Sequence, residues 1–184
     1  MPLPMPAPRD EIHLRDLIMR VYRRHDGLFD VEGRLTDRKT ESFRMRSGGV
    51  VAPMDAIHDV SVRLVIDLDM RIHDVEAASD STPFTECRTA PATLKVVVGL
   101  DLGGGWVREV RARLSGARGC THHVDVLIAL GTAAFQALAP LRRGLPEALD
   151  ATGKPRLLDS CIAFARGGAI ALREWPEHHG ETTK

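Results

Sequence analysis

A thiol and two imidazoles stand together in Gly119-Cys120-Thr121-His122-His123, directly ahead of a largely apolar stretch at 124–138. Thiolate and imidazole are soft and borderline metal ligands, and the partial positive charge of a helix N-terminus favours the thiolate. Two more chemically capable sites lie at element boundaries. His58-Asp59 opens a strand pattern, and Cys87 follows Pro83-Phe84-Thr85-Glu86, where strand character gives way to helix. If these junctions share one sheet edge, Asp59 or His58, Cys87, Cys120 and His122 or His123 can surround a zinc ion. Zinc takes four such donors and accepts a carboxylate in place of a histidine. The separations, 28 residues from Asp59 to Cys87 and 33 from Cys87 to Cys120, are too long for a zinc-finger pattern. The same residues allow a second chemistry, in which Cys120 is a nucleophile paired with a histidine that Asp59 or Asp125 orients. A third reading makes the cysteines small core fillers in a non-catalytic accessory module, and Cys161 within Leu157-Leu158-Asp159-Ser160-Cys161-Ile162 reads that way.

Several elements must position these groups. Leu17 to Tyr22 and Phe29 to Leu35 carry strand-type residues around His25-Asp26-Gly27, a hairpin signature. Its charges, Arg20, Arg23, Arg24, Asp26, Asp30, Glu32, Asp37 and Lys39, read as an exposed ladder in preference to a polar pocket. Segment 46–55 is a connection. Val60, Val62, Leu64 and Ile66 alternate with their neighbours as a strand does, Asp67-Leu68-Asp69 turns the chain, and Arg71 to Ala77 returns. Beyond Pro83 the period changes to helical, first in the apolar segment 89–99 and then over Trp106 to Leu114, with the joint Gly103-Gly104-Gly105 between them. Val124, Leu127, Ile128, Gly131, Ala134, Phe135 and Leu138 mark one stripe of a last helix, capped by Thr121 and stopped by Pro140 and Gly144. Leu157 to Ala165 and Ala169 to Trp175 suit either a hairpin or a helix and a strand. Strands first and helices afterwards give an α+β domain, an antiparallel β-sheet of N-terminal hairpins covered by C-terminal helices. The expected organisation is a flexible arm at 1–9, the domain at 10–144 and an extension at 145–184.

At 184 residues and 43% apolar, the chain can bury one core. Its 25 basic and 25 acidic residues balance, so no bulk field draws it to nucleic acid or an anionic membrane. Three cysteines and no basic-then-apolar leader point to a reducing cytoplasm and not to a disulfide framework. The partner is then a small molecule or another protein. No nucleophile elbow or His-Glu-x-x-His occurs, and the triple glycine lacks the Lys-Ser/Thr of a phosphate loop.

The segments Tyr22-Arg23-Arg24-His25-Asp26-Gly27-Leu28-Phe29-Asp30-Val31-Glu32-Gly33, Ile57-His58-Asp59-Val60-Ser61-Val62-Arg63-Leu64-Val65-Ile66-Asp67 and Gly119-Cys120-Thr121-His122 resemble a bacterial family catalogued as a domain of unknown function. That pattern continues Cys-Thr-His-Leu, so His123 departs from it and the resemblance favours His122 as the ligand. More distantly, residues 57–138 resemble the IscU and NifU-like iron–sulfur cluster scaffolds and their zinc-binding SufU relatives. There an aspartate at a strand start, a cysteine at the strand-to-helix step and a cysteine near the last long helix hold zinc or a cluster. Asp59, Cys87 and Cys120 sit at corresponding places. The first scaffold cysteine would fall on Ile57, and the scaffold histidine precedes the last cysteine, so this likeness implies an IscU/NifU-like fold and zinc more than cluster assembly.

Overall fold

Apolar residues at every second position of 29–35 and 60–66 need a partner layer on one face of a sheet, and the chain supplies it with helices. The computed structural model describes residues 3–180. Four long strands pair antiparallel in the order β1-β2-β5-β6: β1 Leu14–Arg23, β2 Phe29–Arg38, β5 Ala56–Ile66 and β6 Ile72–Ser81. Between β2 and β5 the connection forms a small separate hairpin of β3, Phe43–Arg44, and β4, Val50–Val51. The hairpin turn expected at His25-Asp26-Gly27 lies between β1 and β2. Gly27 takes a left-handed φ of 88°, and Arg24 N–H donates to Leu28 O at 2.9 Å.

The apolar segment after Pro83 is broken into short pieces: a 3₁₀ turn at Thr85–Thr89, α1 at Ala90–Thr93 and a second 3₁₀ turn at Leu94–Val97. Then come α2, Trp106–Leu114, and α3, Thr121–Leu138. The inward side chains Val31, Leu35, Val60, Val62, Leu64 and Ile66 meet Val110, Val126, Leu127, Leu130, Ala134 and Leu138 in one core. The α3 stripe is turned slightly from the expected one. His123, Val126 and Leu130 are buried, while Val124, Ile128 and Phe135 lie at its margin. Trp106 joins the two helices by donating its indole N–H to Leu127 O at 2.8 Å.

The other sheet face carries a row of charged side chains. Arg20, Glu32, Arg63 and Glu76 stand opposite one another across the four strands, with Arg63 paired to both glutamates; of the hairpin charges expected in a ladder, Arg20 and Glu32 belong to this row. Asp37 and Arg23 depart from it: Asp37 points to the core face, and Arg23 stands opposite the core residue Phe29.

Contacts divide the chain into two units, 1–142 and 143–184. The second has a small core of Leu158, Ala171 and Trp175, with a 3₁₀ turn at Ile162–Phe164 and α4 at Ala169–Glu174; among its described residues there is no strand. Cys161 is exposed, so it is no core filler: its turn points it to solvent. Within the expected arm, residues 3–9 carry no helix or strand, while Met1 and Pro2, like 181–184, lie outside the described residues. Among those residues no helix is long and apolar enough to cross a membrane.

Candidate metal centre

Side chains at successive opposed positions of an antiparallel sheet share a face, and the register places Arg15 opposite Asp37 and Asp37 opposite His58. Asp37 continues the inward series Phe29, Val31, Gly33 and Leu35, so a carboxylate occupies a core-facing place at the end of β2. It is 2% exposed. The ladder slips between Asp37 and Arg38, ending the regular pairing at this point.

A carboxylate this buried needs partners, and four residues supply them. Arg15 binds it with both arms, Nε to Oδ1 at 2.7 Å and Nη2 to Oδ2 at 2.8 Å. His13 Nε2 lies 3.0 Å from Oδ1, His58 Nδ1 3.0 Å from Oδ2, and His122 Nε2 3.6 Å from Oδ2. Burial alone would raise the pKa of Asp37, but the Arg15 hydrogen bonds and charge, helped by His58 and His122, outweigh it and hold the group at about 2. Asp37 is therefore ionised at neutral pH. Burial pushes the His58 pKa below its usual value against the pull of Asp37, which favours the neutral ring.

The rings of His58 and His122 stack with centroids 3.6 Å apart and an angle of 29°. His122 reaches this place because Cys120 is extended, at φ −94° and ψ 130°, and α3 begins only at Thr121. Cys120 is thus the N-cap residue, although Thr121 has the better capping side chain, and no side-chain cap bond forms. The extended step brings Cys120 Sγ to 3.6 Å from His122 Nδ1. Burial raises the thiol pKa, while the His122 ring and the His123 and His122 backbone N–H groups lower it by more.

Among the described residues, Asp37, His58 and His122 form the group whose ligand atoms all lie within 4.8 Å of one another. The sequence-derived candidates therefore divide. His58 and His122 are in the group. Cys120 touches it through the far edge of the His122 ring. Cys87, in its 3₁₀ turn, is outside it. Asp59 is outside it too: as the neighbour of His58 in β5 it faces the opposite side of the sheet, where Arg34 clamps both its oxygens at 2.7 and 2.5 Å. His123 is a core residue, fully buried, with Nε2 against Ala78 O at 3.2 Å. Asp125, considered as an orienting acid, meets Arg15 Nη1 at 3.4 Å instead.

Sequence reasoning missed Asp37, His13 and Arg15. One signal was present: alternation from Phe29 to Leu35 assigns Asp37 to the apolar face, and a carboxylate there is costly without a role or a partner. His13 is 38% exposed at the rim of the group.

No curated protein and no solved structure matches the chain. A family match covers residues 13–136, from just before β1 nearly to the end of α3, and so spans the whole donor group. The chain belongs to the family described as Protein of unknown function (DUF2889).

Proposed function

We propose that Asp37, His58 and His122 hold one divalent transition-metal ion, zinc foremost, as a mononuclear centre with positions left for water or a small-molecule ligand. One observation carries this reading: donors from β2, β5 and α3 converge within 4.8 Å around a buried, ionised carboxylate. Two donors each about 2.1 Å from an ion at ordinary angles stand about 3.0–3.4 Å apart. The 3.0 Å from His58 Nδ1 to Asp37 Oδ2 and the 3.6 Å from His122 Nε2 to the same oxygen are close to that. Two imidazoles and a carboxylate are the donor set of catalytic zinc and of ferrous oxygenase centres, and three protein donors leave coordination free. A cluster would need thiolates, and none belongs to this group. The ion would take the place of the proton between His58 and Asp37, and Arg15 would keep the carboxylate fixed from the other side.

Metal analysis and zinc titration of untagged protein test the reading. The expected result is about one equivalent per chain, with affinity reduced at least about tenfold in Asp37→Asn, His58→Ala and His122→Ala. Protein that binds neither zinc nor ferrous iron while fully folded overturns it.

A thiol-centred reading is favoured by one further observation, the line from Cys120 Sγ through His122 Nδ1 and Nε2 to Asp37 Oδ2, which has the order of a thiol–imidazole–carboxylate nucleophile. In that case metal-free protein is alkylated by iodoacetamide much faster at Cys120 than at the exposed Cys161.

A further inference from the structure

The two nitrogens of His122 face different acceptors, and only one of those acceptors is within bonding reach. Cys120 Sγ lies 3.6 Å from Nδ1, an ordinary separation for a hydrogen bond to sulfur. Asp37 Oδ2 lies 3.6 Å from Nε2, beyond a hydrogen bond to oxygen, and it already accepts from Arg15 Nη2 at 2.8 Å and has His58 Nδ1 at 3.0 Å. The ring proton is therefore better placed on Nδ1. That leaves the Nε2 lone pair facing a carboxylate oxygen, an arrangement that repels unless a cation lies between.

We infer that Cys120 is a positioning residue: its sulfur accepts the Nδ1–H of His122 and so holds that ring in the tautomer whose Nε2 lone pair is turned toward Asp37 and His58. This rests on the metal reading for its purpose and on the Cys120–His122 geometry for its existence. Metal-bound histidines usually donate their second ring N–H to an oxygen acceptor that fixes the tautomer, and here a sulfur fills that position. The extended N-cap of α3 is what makes it reachable. A helical Cys120 would carry its side chain onto the first turn instead.

The test uses the full chain labelled with ¹⁵N-histidine and freed of metal by chelation. Long-range ¹H–¹⁵N correlation reads the tautomer of His122, and zinc titration reads affinity. Wild type should show the proton on Nδ1 alone. Cys120→Ala should lose that preference and bind zinc about 10–100-fold more weakly. Cys120→Ser, which places a favourable capping residue at the same position, should fold without loss and keep part of both properties. A proton on Nε2 in wild type, protons on both nitrogens at pH 8, or a Cys120→Ala protein with unchanged tautomer and affinity each overturns the inference. If no zinc binds while the tautomer still depends on Cys120, the metal reading fails and the positioning role stands.

Discussion

Asp37 gathers Arg15 of β1, His58 of β5 and His122 of α3, with His13 just ahead of β1, onto one carboxylate, and its energetics should be measurable apart from any metal. Its pKa falls from the ordinary 3.8 to about 2, so folding releases the proton more readily than the unfolded chain does. A group depressed in this way contributes stability above its unfolded pKa, and loses it as pH drops through the folded value. The contribution is about 2 kcal/mol at neutral pH. In metal-free protein, urea titrations should show Asp37→Asn less stable than wild type by that amount at pH 7. The gap should close between about pH 4 and pH 2, where wild-type Asp37 takes up its own proton. A gap that persists unchanged at pH 2 would assign the loss to packing and not to charge.

Between elements, the decisive distance is the one from α3 to the sheet and to α2, because α3 carries His122. Two glycines set it. An added Cβ at Gly33 on β2 would stand 2.7 Å from Val126 Cγ1, and one at Gly131 on α3 would stand 2.6 Å from Trp106 Cδ1. Both neighbours are buried in the core, so something must shift. Gly131→Ala should destabilise by about 1–3 kcal/mol in urea unfolding, even though alanine favours a helix interior. Gly33→Ala should also weaken zinc binding, since it pushes the first turns of α3 away from Asp37 and His58. A more stable Gly131→Ala protein would show that the indole yields without cost.

Taken as a whole chain, the sheet, its helices and every member of the donor group lie within 1–142. Residues 143–184 have a separate core of Leu158, Ala171 and Trp175, with the Trp175 indole held by Glu147 at 2.7 and 2.9 Å. So few buried apolar residues give marginal stability at this length. A chain ending at Arg142 should therefore melt cooperatively by circular dichroism and retain the zinc affinity of the full protein. Loss of cooperative melting would show that the second unit is needed for the first to fold.

The α+β order, the hairpins and the long last helix are legible along the chain, because these depend on local period and turn chemistry. Alternation from Val60 to Ile66 and the apolar stripe after His123 are properties of neighbouring residues and survive without knowledge of the fold. The sequence also marked His58 and His122 as chemically capable. Which residues share a site was decided by the tertiary structure alone. Strand parity sends Asp59 to Arg34 and His58 to Asp37, though the two are adjacent in sequence. Strand pairing brings Arg15, Asp37 and His58 side by side from across 43 residues of chain. An extended N-cap turns His122, and not His123, toward them. Pairing register and helix rotation are long-range quantities, set when the whole core packs, and no local pattern encodes them.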